Sequence, residues 1–288
     1  MKKKLQNTTN KLIPVAAITA LLVIWQIVSM IGLVPKFMLP APLEVVQAFV
    51  GDFPLLMQHT KATMIEAFLG LSIGIFLGFI AAVCMDRYPL VYKGLYPIVV
   101  LTQTIPTIAI APLLVLWMGY DMAPKIMLIV ITTFFPITVG LLDGFRSADQ
   151  DEIDLLKAMG ASRMQIFRYM KLPGSLHYFF AGLRISAAYS VVGAVIAEWL
   201  GGYYGLGVYM VRVKKSYSFD KMFAVIFFIS AISLLLMWLV SRLQMVLMPW
   251  ENVGRKQNEN ATDAGDTHEE YPIHETVSGK RHRCRGHT

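Results

Sequence analysis

Charged residues are scarce in this chain of 288 residues, because Asp, Glu, Lys and Arg together make up only 16% of it. Soluble globular domains carry about 25%. Hydrophobic residues make up 56% of the chain, and the mean hydropathy is +0.55. Cysteine is nearly absent as well: Cys84 lies in an apolar run and Cys284 in a polar tail, which excludes a disulfide framework and a paired-cysteine metal motif. This composition excludes an ordinary soluble domain and indicates a membrane protein.

Long runs without charge predict where the chain crosses a bilayer. A membrane-spanning helix needs about 20 mostly apolar residues. Five charge-free runs meet this requirement, and a sixth apolar run, from about Leu176 to Trp199, is interrupted by Arg184. The five runs lie between Lys11 and Lys36, between Glu66 and Asp86, between Lys93 and Asp121, between Lys125 and Asp143, and between Lys221 and Arg242.

These runs predict an all-α integral membrane protein with six transmembrane helices in residues 12–250. Residues 1–11 are expected to form a cytoplasmic N-terminal segment. Residues 251–288 mix charge with Asn, Gly, Thr and four of the six histidines and show little apolar periodicity, so we expect a disordered tail. The spacing of those histidines matches no metal site, and we expect the chain to hold neither a metal nor a cofactor.

The distribution of Lys and Arg predicts the orientation. If the N-terminus is cytoplasmic, the cytoplasmic segments hold twelve basic residues and the opposite segments hold seven, among them Lys125 and the cluster from Arg212 to Lys221. Basic residues favour the cytoplasmic side, so both termini are expected there, in a multi-pass protein of the inner or plasma membrane. The net positive charge lies in this membrane body and favours anionic lipid headgroups over nucleic acid as partners.

Glycine and proline mark two of the spans. Gly70, Gly74 and Gly78 recur every four residues in the second span, which predicts a helix face against which another backbone packs closely. The third span contains three prolines, which predict a kinked helix beside protein or a cavity. Those prolines are Pro97, Pro106 and Pro112.

The polar segment 146–175, between the fourth and fifth spans, has the pattern of two short helices. Acidic residues open the first, whose apolar arc is expected to include Ile153, Leu156 and Met159, and Gly160 is expected to end it. A capping box at Ser162 begins the second helix, which Leu172-Pro173 is expected to close. The alternative is a helix that lies flat on anionic lipid.

This segment resembles the coupling loop of permease subunits of binding-protein-dependent ABC importers. The family pattern is Glu-Ala-Ala, three residues, Gly, nine residues, Ile, one residue, Leu-Pro. Here Asp154-Leu155-Leu156 leads to Gly160 and then to Met170-Lys171-Leu172-Pro173 at the same spacing. Asp, two Leu and Met replace the usual Glu, two Ala and Ile, and these changes keep the acid and the apolar character. Similar runs extend over roughly 39–250 and resemble the nitrate, sulfonate, taurine and thiamine-precursor branch.

The resemblance implies a type I ABC importer permease that works as a dimer, most simply of two copies of this chain. It also implies two copies of an ATPase subunit on the cytoplasmic side and an extracytoplasmic solute-binding protein. The residues expected to couple the permease to the ATPase are Asp154, Ala158, Gly160, Ala161, Ile166, Phe167, Met170, Leu172 and Pro173. The run 109–120 most resembles members that carry a pyrimidine precursor of thiamine, with nitrate, alkanesulfonate or taurine as alternatives.

Polar residues inside the spans are candidates for the translocation path. Gln103 and Thr104 lie in the kinked third span, and Arg184 and Glu198 lie in the fifth, where ionisable groups are costly unless they meet a partner or a cavity. Helix-to-helix hydrogen bonding, snorkelling of Arg184 and an interfacial position for Glu198 are the alternatives. The segment 199–207, with four glycines and three aromatics, predicts a short re-entrant element or a belt of aromatic residues at the membrane interface.

No enzyme motif competes with the transport interpretation. The chain lacks the phosphate-binding GxxxxGK[ST] loop, so ATP hydrolysis is expected on a partner chain, and it also lacks HExxH, GxSxG and the Rossmann glycines. Two other classes remain. One is a stand-alone carrier with six helices, which would need no ATPase-docking loop, and the other is a membrane scaffold, which would leave the polar residues within the spans without a role.

Overall fold

The computed structural model describes residues 2–32, 35 and 38–249, and every regular element in them is helical. The predicted tail lies outside the described residues. The helices are α1 (Lys2–Ile31), α2 (Pro42–Gly51), α3 (Phe53–Arg87), α4 (Pro89–Thr104), α5 (Thr107–Met118), α6 (Met122–Arg146), α7 (Gln150–Ala158), α8 (Arg163–Ile166), a π-helical turn (Phe167–Lys171), α9 (Leu172–Glu198), α10 (Leu206–Lys215) and α11 (Phe219–Leu247).

The chain divides into two compact units, residues 1–242 and residues 243–288. In the second unit the structure describes residues 243–249, which include the end of α11. Four helical segments of the described residues are long and apolar enough to cross a membrane, and there are five if α4 and α5 form one bent span. The shorter apolar stretch of α1, Ala16–Ile31, lies where the first of the six spans is expected. The all-helical membrane fold is therefore confirmed.

Helix α6 packs between α3 and α9 through contacts that only small residues permit. A side chain at Gly70, Gly74 or Gly78 of α3 would collide with Ile129, Thr133 or Ile137 of α6. On the other side, a side chain at Gly182 of α9 would collide with the backbone of α6. The predicted packing face of the second span is confirmed, and α6 is the centre of the unit because its neighbours approach its backbone directly.

The third predicted span is broken, as its prolines indicate. Helices α4 and α5 meet at Ile105–Pro106, and their axes differ in direction by 102°. Pro97 and Pro112 lie inside α4 and α5 respectively, so the proline at the junction marks the sharp break. Proline removes a hydrogen-bond donor and disfavours a helical conformation in the residue before it.

The second loop helix does not end at Leu172-Pro173, and this prediction is wrong. Helix α8 continues through the π-helical turn into α9, and Arg163–Glu198 forms one apolar helical segment of 36 residues. The N–H of Leu172 donates to the carbonyl of Phe167, five residues back. This wide turn tolerates Pro173 in the first turn of α9, where a missing N–H costs little. The second loop helix, α8, and the fifth predicted span are therefore one continuous helical segment.

Candidate functional site

The loop between α6 and α9 has the local structure that its sequence predicts. The side chain of Asp149 caps α7 by accepting a hydrogen bond from the N–H of Asp151 at 2.9 Å. Gly160 follows the helix with a φ of +85°, a conformation that costs other residues about 1–2 kcal/mol. Ser162 and Gln165 form the predicted capping box at the start of α8. Caps and a glycine therefore fix the loop as two short helices at a defined angle.

Buried apolar residues and one ion pair attach this loop to the spans. Ile153 of α7 and Ile166 of α8 are buried. The ring of Phe167 packs on Phe145 at the end of α6, with centroids 5.2 Å apart. The ammonium group of Lys171 donates to Asp86 at the end of α3 at 2.7 Å. A force applied to the loop is therefore transmitted to α3, α6 and α9 through packed side chains.

The predicted coupling residues divide into an exposed and an inward set. Asp154, Ala158, Gly160 and Pro173 are exposed, whereas Ala161, Phe167, Met170 and Leu172 are half-buried and Ile166 is buried. The expected apolar arc of α7 is not one face, because Ile153 is buried and Met159 is exposed. The inward set holds the loop in place, and the exposed set is available to a partner.

Four large exposed apolar side chains complete the outer surface of the loop, and of these the sequence analysis singled out Met159 alone. Such a concentration of apolar surface away from the spans is typical of a protein interface. A helical wheel of α7 places Leu155 and Ile153 on different faces, so that difference could be found from the sequence. The exposure of Met164 and Tyr169 depends on how the whole loop packs. The four residues, with their exposed fractions, are Leu155 (62%), Met159 (76%), Met164 (71%) and Tyr169 (72%).

A cavity of about 300 Å³ lies at the break between α4 and α5. Gln103 lines it, together with Thr132 of α6 and Tyr189 of α9. Thr104 is exposed next to the break but does not line the cavity, and its hydroxyl donates to the carbonyl of Leu101. The cavity therefore offers an amide, hydroxyl groups and an aromatic ring to a small polar solute.

Arg184 and Glu198 lie far apart on α9 and in different surroundings. Arg184 is half-buried and has no carboxylate partner in the part of the chain that the structure describes. Glu198, at the end of α9, is 1% exposed. Its Oε1 accepts a hydrogen bond from the hydroxyl of Thr63 at 2.7 Å, and its Oε2 accepts one from the N–H of Gly207 at 2.6 Å. The roles of Arg184 and Glu198 in the translocation path stay predictions.

Glu198 belongs to a group of side chains that receives the start of α10. Three successive backbone N–H groups point at three side chains: that of Gly205 donates to His59 Nδ1, that of Leu206 to Thr63 and that of Gly207 to Glu198. The first N–H groups of a helix have no partner within it, so these side chains satisfy them. Gly205 has a φ of +133°, and a side chain there would collide with the Glu198 carboxyl group. The segment 199–205 is a turn, and α10 begins directly after it.

A buried ion pair lies beside this group. Lys125 Nζ donates to Glu66 Oε1 at 2.6 Å, and both residues are buried. The other carboxyl oxygen of Glu66 is buried without a hydrogen-bond partner in the described residues. Lys125 was expected in a loop at the edge of a span, whereas α6 begins at Met122 and Lys125 lies buried in the first turn of this helix. Sequence order does not reveal this pairing, since the partners are 59 residues apart.

We call His59, Thr63, Glu66, Lys125 and Glu198, with the backbone N–H groups of residues 205–207, the buried polar cluster. A second polar contact lies nearby, at the start of α3. Asp52 accepts hydrogen bonds from the hydroxyl of Tyr209 at 2.6 Å and from Lys221 at 3.0 Å.

Asp52 and Tyr209 shift each other's pKa in opposite directions. Burial alone would raise the pKa of Asp52, but the hydrogen bonds from Lys221 and Tyr209 outweigh it and hold the pKa below its ordinary value. Burial raises the pKa of Tyr209, and the hydrogen bond to Asp52 raises it further, so the phenol stays protonated and remains a donor. No group of His, Cys, Asp and Glu in the described part of the chain is placed to hold a metal ion.

Comparisons with known proteins agree with this geometry. Residues 74–247 match the family described as binding-protein-dependent transport system inner membrane component. A probable ABC transporter permease protein of Haemophilus influenzae is 39% identical over 233 residues, which cover 80% of this chain and 95% of that protein. The formylaminopyrimidine transport permease protein ThiX of Halalkalibacterium halodurans is 35% identical over 248 residues, which cover 85% of this chain and 98% of that protein.

A solved structure shows the same fold. It is that of an amino acid ABC transporter with histidines, and the match covers 70% of this chain and 96% of that chain at 15% sequence identity, with a TM-score of 0.56. The matched residues 74–247 include α4, α5, the loop between α6 and α9, and α9 itself. The chain therefore belongs to the family of binding-protein-dependent transport system inner membrane components, the permease subunits of ABC importers.

Proposed function

We propose that this permease subunit carries a pyrimidine precursor of thiamine from an extracytoplasmic binding protein into the cytoplasm, as a pair of identical chains driven by two ATPase subunits. As a multi-pass ABC importer permease it works with an ATPase and a binding protein. What we propose is the number of permease and ATPase subunits, the cytoplasmic location of both termini and the identity of the substrate. One observation carries the ATP-driven part of the proposal: a loop with exposed apolar side chains is packed on the spans. The similarity to a formylaminopyrimidine transport permease protein supports the substrate.

The outer surface of the loop supports docking of the ATPase. Leu155 of α7 and Met159, the residue that directly follows this helix, are both exposed on the side away from buried Ile153. A helix that places apolar anchors in a groove of its partner is a common recognition mode. Helices α8 and α9 form one continuous helical segment, so motion of the ATPase that passes the joint at Gly160 is carried directly into the fifth predicted span.

Docking is tested by the double variant Leu155→Ser, Met159→Ser. It should insert normally, lose the ATPase during purification in mild detergent and lose uptake. The control is Leu90→Ser, an exposed leucine at the start of α4, which should retain both. An ATPase that stays bound at the normal ratio to the double variant contradicts this docking surface.

The joint at Gly160 gives a second test. Gly160→Pro forces φ to about −65° and removes the N–H that donates to the carbonyl of Lys157. Uptake should be abolished while membrane levels stay normal, because the angle between α7 and α8 is lost and the spans are untouched. Full uptake by the inserted variant would count against a coupling role for the loop.

The cavity at the α4–α5 break supports a path for a small polar solute. The Gln103 amide can donate a hydrogen bond to a ring nitrogen of a pyrimidine and accept one from its amino group. An aromatic ring such as that of Tyr189 can stack on the pyrimidine. Gln103→Ala should reduce uptake without changing ATPase binding. Gln26→Ala, the same change in α1, is the matched control, and equal uptake by the two variants would remove Gln103 from the path.

The substrate is tested with the deletion strain and labelled solutes. A strain that cannot make the thiamine pyrimidine should stop growing on the supplied precursor when this gene is deleted, and the intact gene should restore growth. Restored growth on taurine, an alkanesulfonate or nitrate as the sole sulfur or nitrogen source would favour those substrates instead. Uptake that survives ATP depletion while an ion gradient is kept would favour a stand-alone carrier.

A further inference from the structure

We propose that the cleft between the coupling loop and the end of α3 binds the phosphate-bearing headgroup of an anionic phospholipid. The cleft has a volume of about 640 Å³, within the range of small-molecule sites. It lies where the apolar run of α3 ends in Asp86 and Arg87, and charges at the end of a spanning helix lie at the level of lipid headgroups. It is separate from the cavity at the α4–α5 break.

The charge of this headgroup cleft is strongly positive. Arg87, Lys157, Arg163 and Lys171 line it, against the single carboxylate of Asp86. Asp86 already pairs with Lys171, and Lys157 pairs with Asp154 outside the cleft. The described part of the chain therefore contains no carboxylate partner for either of the two arginines. An arginine guanidinium can bind two phosphate oxygens at once, so two unpaired arginines suit one phosphate diester.

The lining below these charges is apolar, and this favours a lipid over a free anion. Val83 and Cys84 of α3 line the cleft from one side, and Ile153, Ile166 and Phe167 of the loop line it from the other. A soluble phosphate would use only the basic rim. A lipid would also place glycerol and acyl carbons against the apolar wall, where removal from water stabilises them.

The headgroup cleft and the proposed ATPase surface lie on opposite faces of α7. Gln150, Ile153 and Lys157 share one helical face and line the cleft, whereas Leu155 and Met159 are exposed on the other. A bound headgroup would therefore brace the loop from the membrane side and leave the outer face open. The binding itself does not depend on the proposed substrate or on transport.

The test compares two double variants that remove equal charge at the same end of the helix bundle. Arg87→Gln, Arg163→Gln removes the unpaired cations of the cleft. Lys93→Gln, Arg168→Gln removes two exposed basic residues that do not line it. The full-length proteins are purified in detergent, and their melting temperature and bound lipids, by native mass spectrometry, are measured with phosphatidylglycerol, with phosphatidylcholine and with inorganic phosphate.

Phosphatidylglycerol should raise the melting temperature of the natural protein and of the Lys93, Arg168 variant, and phosphatidylcholine or inorganic phosphate should not. In the Arg87, Arg163 variant the affinity for phosphatidylglycerol should fall about thirtyfold, because each basic residue near the surface contributes about fivefold. Arg87→Lys, Arg163→Lys keeps the charge without the guanidinium fork and should restore part of the binding, which shows that the arginine variants are folded.

Three results would overturn the proposal. Equal loss of lipid binding in both glutamine double variants would mean that general surface charge attracts the lipid. A full thermal shift with inorganic phosphate alone would make the cleft a site for a soluble anion. Loss of the ATPase from the Arg87, Arg163 variant with unchanged lipid binding would mean that an acidic surface of the partner protein occupies it.

Discussion

Two ion pairs of the same kind and nearly the same length lie at opposite ends of the bundle and differ in almost everything else. Lys157 and Asp154 on the coupling loop are 2.7 Å apart, with side chains 57% and 68% exposed. Lys125 and Glu66 in the buried polar cluster are 2.6 Å apart, with side chains 7% and 3% exposed. Water screens the first pair, whereas the second is isolated from water. Distance alone therefore does not predict the importance of an ion pair in this protein.

The comparison teaches that the two ends perform different tasks. The loop keeps its polar groups in water and exposes apolar side chains, which suits a surface that meets a partner. The buried polar cluster instead uses its polar groups to fasten α3, α6, α9 and α10 together. We expect substitutions at the loop to affect coupling more than stability, and substitutions in the cluster to affect stability first.

The largest difference is expected between Lys125→Met and Lys157→Met. Lys125→Met leaves Glu66 and Glu198 buried near each other without a cation, and losing one partner of a buried pair costs about 3–5 kcal/mol. Lys157→Met should cost less than about 1 kcal/mol, because its pair is exposed. Unfolding of the purified proteins in a denaturing-detergent titration measures both, and equal costs would contradict the comparison.

The next contrast uses two glycines with positive φ. Gly205→Ala should cost more than about 2 kcal/mol, because it adds a collision with the Glu198 carboxyl group to the backbone strain. Gly160→Ala should cost about 1–2 kcal/mol from backbone strain alone, since no atom lies within 4 Å of the added carbon. Thermal unfolding of the two variants provides the measurement, and a larger loss at Gly160 would reverse the expected order.

A smaller contrast is expected between two tyrosine hydroxyl groups. Tyr209→Phe removes the donor to Asp52 and should cost about 1.5–3 kcal/mol, the usual range for a hydrogen bond to a charged group. Tyr169→Phe on the exposed loop should change stability by less than about 0.5 kcal/mol. Melting temperatures of the two variants, measured side by side, test this, and an unchanged value for Tyr209→Phe would show that the hydrogen bond contributes nothing.

The smallest effect concerns pH and Asp52. Because its pKa in the folded protein lies below the ordinary value of 3.8, the stabilisation is complete above that value and is lost as the pH falls through the folded pKa. Stability from this contact should therefore be constant near neutral pH and decline only below about pH 4. Asp52→Asn should remove that part of the acid dependence, as measured by melting temperature between pH 3 and pH 7. An unchanged acid profile in the variant would exclude Asp52 as its source.

The loop was predictable because its determinants are local. The acidic start of α7, the helix end near Gly160 and the capping box at Ser162 act within one or two turns, and the structure bears them out. The exception is Pro173, where the sequence favoured a helix end and a π-helical turn absorbs the proline instead. The glycine face of α3 was predictable for a related reason, since removing side chains from one face favours close packing with whichever helix comes near.

The buried polar cluster was not predictable, because its members come from four separate helices, α3, α6, α9 and α10, and their ends. Glu198 was singled out as an ionisable residue in a span, but its partner Thr63 is 135 residues away. Glu66 and Lys125 were taken as the ends of charge-free runs. A charged residue beside an apolar run indicates the end of a membrane span unless its ion-pair partner is known. The exposed apolar surface of the loop was likewise recognisable only once its inward face was defined.

The sequence by itself determined that the chain is an all-helical membrane protein, that prolines kink its third span and that a loop with coupling spacing lies between the fourth and fifth spans. These features follow from hydropathy, proline and short-range capping, which act between neighbours along the chain. Only the tertiary structure decided which charges are buried, which side chains receive the N–H groups of residues 205–207 and which face of the loop is exposed. Those properties depend on long-range packing, and the free energy of a charge or an apolar group depends on what surrounds it rather than on its position in the sequence.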